Sequence, residues 1–468
     1  MSAKYRLTTF LFLGLFCLIA CRSWRQTSYR LDRTESEQRL PENPQRRGGD
    51  PEAGFDYLVT GDHVGNGIPM PEYFKFFGET SDTILYREGD NARVSYSSNV
   101  FELDSGLKVV SGNCFVCHAA RINGNLIFGL GNSFADFTEN QRPLLSAMNL
   151  YIKSKYGKKS RVWEMYEEQA KWLEAVAAGV IMPNRGTNPA FRLEEAAIAY
   201  RDPRDLAFRS DPWYQLSEPA IGTDVPPLWN VKKKRALYYT GAGRGDFTKL
   251  LMQVSVLGIH DSAAARQVQQ RFVDVLAWLE ALEPPKFPQA VNREWALQGE
   301  KIFGLHCEKC HGSYGKEESY PNKLIPLTEV KTDPAYAAYT IQSTLNEWYN
   351  GSWYGQSPTP ARLEDYYGYI APPLDGIWAT APYLHNGSVP DLAALLNSRE
   401  RPTYWTRSYD SYDFNYQRIG WNFLQADNGK NPNTYDTTRP GASAQGHTYG
   451  DVLNEQERKV LLEYLKTL

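Results

Sequence analysis

Two pentapeptides of the form Cys-x-x-Cys-His stand far apart in this chain: Cys114-Phe115-Val116-Cys117-His118 and Cys307-Glu308-Lys309-Cys310-His311. In each, two thiols are spaced to add to the two vinyl groups of one haem, and the adjacent histidine reaches the iron as its proximal ligand. Other uses of paired cysteines fit less well. A structural zinc site wants four ligands at close spacing, whereas these pairs are widely separated. A redox dithiol has no need of a histidine directly after its second cysteine. The pattern therefore points to two covalently bound c-type haems.

A proximal histidine leaves one axial position on each iron, and its occupant separates electron carriers from enzymes. None of the 6 methionines lies beyond Met252, which excludes His/Met ligation within the second half. Only His385 and His447 follow His311. His447, in Gly446-His447-Thr448-Tyr449-Gly450, sits on a glycine-flanked loop that can approach a haem closely, and is the first candidate for sixth ligand. His385, in Tyr383-Leu384-His385-Asn386-Gly387, is the second candidate or a partner for a haem propionate. A tyrosine, a lysine or an open position completes the choices.

Near the first motif the candidates are Met252 and His260. His260 precedes a terminal helix much as His447 does; the alternative is a surface or capping histidine beside Asp261. If neither binds, the first iron is open, and its pocket would be drawn from Trp229, Tyr238, Tyr239 and Phe247. Aromatic residues of this kind equally serve as core. His63, in a glycine-rich loop, reads as structural, and His306 as packing against a haem edge.

The elements that must hold these residues repeat one plan. Cys114–His118 is followed by Pro226-Pro227-Leu228, Ala236-Leu237-Tyr238-Tyr239 and Asp246-Phe247; Cys307–His311 is followed by Pro372-Pro373-Leu374, Ala381-Pro382-Tyr383-Leu384 and Asp391-Leu392. Each half ends in an amphipathic helix. One carries Val268, Phe272, Val275, Leu276 and Leu279 behind a cap at Asp261 or Ser262. The other carries Val460, Leu461, Tyr464 and Leu465 behind an Asn454/Glu457 capping box. A helix over Trp295–Leu305 leads into the second motif, and the prolines of Glu283–Pro288 form a linker. Residues 139–215 insert helices into the first half, the clearest being Arg161–Ile181. The expected fold is mainly α: two tandem cytochrome c-like domains with long loops, at 53–287 and 288–468.

Lys4 and Arg6, an apolar run from Leu7, and Leu18-Ile19-Ala20-Cys21 resemble a lipoprotein signal peptide (1–21) with Cys21 as its lipid site. An ordinary signal peptide is the alternative. Residues 22–52, polar and rich in Arg, Glu, Gln and Pro, read as a flexible tether. The expected location is the periplasm or outer membrane of a Gram-negative bacterium, with a lipid anchor. The 6 cysteines are then accounted for without a structural disulfide. A net charge of −3, with one short Lys232-Lys233-Lys234-Arg235 run, calls for no nucleic-acid partner. That run is either a solvated face or a contact for haem propionates.

The stretch Ala371-Pro372-Pro373-Leu374-Asp375-Gly376-Ile377-Trp378-Ala379-Thr380-Ala381-Pro382-Tyr383-Leu384-His385-Asn386-Gly387 resembles the Thr-Pro-x-Leu…Ala-Pro-Tyr-x-His-x-Gly signature of the bacterial di-haem cytochrome c peroxidase superfamily. Its Gly-Ile-Trp-Ala and His-Asn-Gly-Ser-Val-Pro variants are similar to di-haem c-type cytochromes related to rubber oxygenases. Pro226–Asp246 and Gly446–Gly450 also fit that branch, so the resemblance spans roughly 55–468. It implies an open, reactive first haem and a six-coordinate second haem that passes electrons. Peroxidases of the superfamily also bind Ca²⁺ between domains, which adds Ca²⁺ to the candidate cofactors, although no Asp/Glu cluster with calcium-loop spacing marks a site. Two departures matter. Arg399 stands where the peroxidases carry a methionine ligand, and rubber oxygenases are longer chains, so no polymer channel is implied.

The expected function is that of an exported di-haem oxidoreductase that activates peroxide or dioxygen at the first haem, with electron transfer through the second. A redox partner protein or a small donor would supply electrons. The alternative is a non-catalytic electron carrier with both haems six-coordinate.

Overall fold

The computed structural model describes residues 35–356, 358–431 and 433–468; the signal peptide, Cys21 and residues 22–34 of the expected tether lie outside them. The described end of that tether is bound to the body. Gln38–Arg39 pairs antiparallel with Lys323–Pro326, Asn43 donates to the Arg235 and Gly245 carbonyls, and Arg46 pairs with Asp246 at 2.9 Å.

One helix crossing occurs twice, and it frames both motifs. In the first half, the helix Pro51–Thr60 starts at Asp50, whose carboxylate accepts from Glu52 and Ala53 N–H, with proline preset at the first turn. It lies across Ser262–Ala281, capped by Asp261, whose Val268, Phe272, Val275, Leu276 and Leu279 face the core. Gly54 permits the contact: a Cβ there would sit 2.1 Å from the Asp274 carbonyl oxygen. In the second half, Arg293–His306 starts at Asn292 and crosses Glu455–Leu465, which carries the full Asn454/Glu457 capping box. Here Gly299 is the close point, with a Cβ 2.1 Å from the Val460 carbonyl oxygen, and Phe303 packs on Tyr464 at 5.2 Å. Among the described residues, no helix is long and apolar enough to cross a membrane.

The inserted helices are Arg142–Tyr156, Arg161–Ala177 and Ala190–Ala199. The first two pack through Met148, Ile152, Trp163, Tyr166 and Ala170. The third is tied inward by charge. Arg192 is 1% exposed and donates to Glu195 at 2.9 Å, to the Ser217 carbonyl and to Glu218; Glu195 in turn accepts from Tyr339 and from Ser343 at 2.7 Å. Each large apolar cluster draws on residues from both sides of the proline linker. One combines Phe115, Phe272 and Leu279 with Tyr336 and Tyr349; the other combines Ile122, Leu130 and Trp229 with Phe303 and Leu461.

The expectation of a mainly α fold is overturned. Helix accounts for 39% and strand for 13%, in several small sheets, so the fold is mixed α/β. The strands are short hairpins wedged between helices. Ser98–Glu102 pairs with Lys108–Gly112 directly before the first motif, and Ala119–Ile122 pairs with Asn125–Phe128 directly after it. The second hairpin turns at Asn123 and Gly124, both at positive φ (50° and 76°), as a two-residue Asn-Gly turn demands. Segments of two to five residues are too brief to show clear alternation, and they were read as loops.

Gly299→Ala forces its Cβ onto backbone, where no side chain can yield. It is expected to lower the unfolding free energy by about 1–3 kcal/mol in chemical denaturation. An unchanged midpoint would show that the crossing is looser than drawn.

Candidate haem centre

The second motif opens onto a buried cavity that gathers Cys307, Cys310, His311, His385 and His447 on its wall, with apolar walls from residues such as Phe303, Leu392 and Leu461. The Arg293–His306 helix delivers the cysteines, and a single turn, Glu308–His311, swings the histidine inward. His311 Nδ1 lies 2.8 Å from the Pro372 carbonyl oxygen. A carbonyl only accepts, so Nδ1 carries the proton and Nε2 keeps its lone pair for a metal.

His447 faces His311 with ring centroids 6.1 Å apart and planes at 63°. Two imidazoles that share one metal ion, each nitrogen about 2 Å from it, have centroids about 6 Å apart. The pair therefore fits a haem iron held from both sides. The loop behind His447 is built for this placement. Gly446 at φ 73° runs so close to Lys331 that a Cβ would come within 2.2 Å of its backbone, and His447 itself takes φ 44°. Arg401 clamps the loop by donating to the carbonyls of Ala444, Gly446 and His447 at 2.7, 2.6 and 3.0 Å. Burial, with His311 and Arg401 adding repulsion, pulls the His447 pKa down to about 3, so the ring is neutral and available as a ligand. Its Nδ1 is buried and finds no partner among the described residues.

His385 takes a different place. Its ring stacks on Tyr369 at 4.1 Å and 20°, with Tyr239 and Tyr336 each 6.3 Å away, and burial lowers its pKa to about 3. Its backbone carbonyl accepts from Asp224 N–H. Asp224 also lines the cavity; burial raises its carboxyl to about 8, and Tyr239 donates to it at 3.2 Å.

The first motif is a single 3₁₀ turn, Cys114–Val116, started by Asn113, whose side chain accepts from Phe115 N–H. Phe115 is driven into a nest of Phe55, Phe128 and Trp278, which fixes the turn against the first helix crossing. The following hairpin returns Gly129 N–H to the His118 carbonyl. His118 is buried, its pKa lowered to about 4 by desolvation and the nearby Lys234, and its Nδ1 has no partner among the described residues. His63, read from sequence as structural, is fully buried with Nε2 3.9 Å from the Cys114 sulfur.

The other candidates for the first motif do not assemble into one pocket. Tyr238 and Tyr239 line the cavity of the second motif. Trp229 is packed between Gly129 and Gly376 and donates to the Asp375 carbonyl at 2.8 Å, bridging the segments that follow the two motifs. Phe247 is core, facing a separate basic cleft with Lys232–Arg235. In that run Lys232 pairs with Glu283, Lys233 with Glu318 and Asp375, and Arg235 with Glu42. His260 is half exposed, with Nδ1 3.5 Å from Glu168, and Met252 is core. Among the described residues no group of three or more His, Cys, Asp or Glu side chains could hold a metal ion.

Buried ionisable groups are what the sequence reading missed. Asp224 and Glu194 look like ordinary surface charges in sequence, and Lys234 was singled out only within its basic run, yet burial moves all three to about 8. The one available signal was position: Asp224 and Lys234 flank the Pro-Pro-Leu repeat.

A family model described as RoxA-like, cytochrome c-like matches residues 368–406, the stretch running from just before Pro372 to Arg401 and beyond. The match supports a RoxA-related c-type cytochrome, with covalently bound haem and its iron. The uncharacterized protein y4iM of Sinorhizobium fredii (strain NBRC 101917 / NGR234) is 27% identical over 305 residues, covering 56% of this chain and 68% of that one. The uncharacterized protein y4iJ of the same organism is 28% identical over 258 residues, covering 40% of this chain and 41% of its own length. The alignment thus spans less than half of y4iJ.

Replacing both thiols of one motif, Cys307→Ser with Cys310→Ser, is expected to remove one covalently bound haem from the intact-protein mass. An unchanged mass would rule out attachment at that motif.

Proposed function

We propose that this chain is an exported di-haem c-type cytochrome, an oxidoreductase that activates peroxide or dioxygen at the haem held by Cys114, Cys117 and His118 and moves electrons through the haem held by Cys307, Cys310 and His311. The observation that carries the reading is an asymmetry. His447 faces His311 at 6.1 Å, whereas His260, the matching candidate in the first half, is turned to the surface and bound to Glu168. An iron held by two imidazoles is closed and suited to electron transfer; an iron with one free axial position binds peroxide or dioxygen and exchanges electrons with it.

The remaining parts of the reading follow from this division. His311, its proton fixed on Nδ1 by Pro372, and His447, held neutral by burial, are arranged as a rigid pair that need not move between redox states. Asp224 and Tyr239 set an acidic proton on the wall between the two halves. Trp229 joins the segments behind both motifs without a gap, a short path between two redox centres. Covalent haem attachment outside the cytoplasm and the lipobox-like Cys21 support a periplasmic or outer-membrane location with a lipid anchor.

A second reading rests on Lys234. Its amine lies in the buried region beside His118, burial brings it to about 8, and no carboxylate among the described residues pairs with it. If Lys234 closes the first iron, the protein is an electron carrier with two six-coordinate haems.

The ferric and reduced visible spectra of the purified holoprotein test both. The oxidoreductase reading requires a high-spin band and CO binding on reduction; two low-spin irons that ignore CO and peroxide would sink it. Should the spectrum be wholly low-spin, Lys234→Ala is expected to release one high-spin iron under the carrier reading. His447→Ala is expected to convert one low-spin haem to high-spin, and an unaltered spectrum would reject His447 as ligand.

A further inference from the structure

Behind the cavity lies a line of tyrosines that haem binding does not require. Tyr238, on the cavity wall, donates its hydroxyl hydrogen to Glu194 Oε2 at 2.8 Å. Gln253 completes the group: with its amide nitrogen toward the phenol, it donates to Tyr238 at 2.6 Å and to Glu194 at 3.0 Å. Gln253 also faces the Tyr349 hydroxyl. Tyr349 stacks on Tyr354 with centroids 5.1 Å apart and planes at 19°, and Trp353 meets Tyr354 edge-on at 5.1 Å. Tyr349 and Tyr354 are fully buried, while Trp353 is half-buried at the periphery, with Lys249 4.6 Å from its ring. Lys249 donates to the carbonyls of Trp353, Tyr354 and Gln356, pinning the outer end of the line.

Packing alone does not explain these residue types. The Tyr354 hydroxyl is buried with no hydrogen bond that meets ordinary geometry, facing a Ser255 hydroxyl in the same condition. Phenylalanine would fill the space without burying a hydroxyl. A phenol differs from a benzene ring in one further respect: it gives up an electron readily when a base takes its proton. Glu194 is placed to be that base for Tyr238: burial raises its carboxyl to about 8, so it stands as the accepting carboxylate above that pH.

We propose that Tyr238, Tyr349, Tyr354 and Trp353 form a one-electron relay from the cavity to the surface, where Trp353 oxidises an electron-rich aromatic donor too large to enter. The relay rests on the peroxide reading above. Its balance is simple: two donor molecules, each losing one electron and one proton, reduce one hydrogen peroxide to two waters. As each electron leaves Tyr238 its phenolic proton passes to Glu194. Tyr238 then regains an electron from Tyr349 and its proton from Glu194. The hydroxyl protons of Tyr349 and Tyr354 shift toward Gln253 and Ser255 as each loses its electron and return as each is refilled. The vacancy ends on Trp353, where the donor's electron fills it and the donor's proton leaves to solvent.

The test is to add hydrogen peroxide to the ferric holoprotein without donor, follow the Soret band and the organic-radical signal by electron paramagnetic resonance, and map oxygen addition by peptide mass spectrometry. The expected result is a protein radical and oxygenated Trp353. Tyr349→Phe, which removes one oxygen atom and keeps the ring, should lower Trp353 oxygenation roughly tenfold or more while the Soret band still responds. A responding Soret band with untouched Trp353, or equal oxygenation in Tyr349→Phe, overturns the relay alone. A Soret band that ignores peroxide overturns the peroxide reading and the relay with it.

Discussion

A neutral imidazole buried without a partner is an expensive object, and the geometry around His447 exists to hold one. Its ring faces His311 across an apolar cavity, with Nδ1 unpartnered among the described residues and a pKa near 3 that forbids protonation at any physiological pH. His311 is satisfied on one side by the Pro372 carbonyl, while His447 Nδ1 finds no partner among the described residues. Holding them apart requires a loop that runs against Lys331 at a left-handed glycine; Arg401 donates to three carbonyls of that loop and to two of the Leu392–Leu396 helix, tying one to the other. The cavity walls, the crossing of Arg293–His306 with Glu455–Leu465 and the Pro372 carbonyl all converge on keeping two rings at one separation.

The first motif shows what the same helix crossing does with different surroundings. Gly54 and Gly299 play equivalent parts, each letting one helix backbone lie on another. After the crossing, the halves diverge. Arg293–His306 runs straight into its cysteines, while Pro51–Thr60 is separated from Cys114 by a loop bearing His63, the helix Met70–Phe77 and a hairpin. His63 therefore reaches the cysteine side of its motif, 3.9 Å from sulfur, and no imidazole is delivered opposite His118 among the described residues. A repeated scaffold with unequal loops thus gives the two motifs different surroundings.

How far this could be read from sequence depended on the range of the signal. The Cys-x-x-Cys-His motifs, the Asp261 and Asn454 caps and the apolar stripes are local, and each was legible as residues a few positions apart. His447 was a candidate because the second half lacks methionine and offers two histidines after His311; their surroundings, with His447 facing His311 and His385 stacked on Tyr369, carry no local pattern. The hairpins went unread because two to five residues hold too few alternations, although Asn123-Gly124 was a strong turn signal in plain view. Nor could sequence reveal that Trp229 packs on Gly376, or that Glu195 is satisfied by Tyr339 and Ser343. Such contacts join positions more than a hundred residues apart and carry no local pattern.

The inserted helices explain why the interior is so rich in ionisable groups. Ala190–Ala199 carries Arg192, Glu194 and Glu195 within one turn, and its Phe191 and Glu195 meet Tyr336 and Tyr339 of the 335–342 helix. Arg192 and Glu195 neutralise each other within the helix and bind Tyr339 and Ser343, so their burial is compensated. Glu194 pairs with no cation among the described residues and instead accepts from Tyr238 and faces Gln253. A chain selecting only for packing would have placed an apolar residue there, as it did at Phe191 and Ala197 on the same helix. The insertion therefore brings two things at once to the space beside the motifs: a paired charge that locks it to the second half, and an unpaired carboxyl whose proton state is free to change.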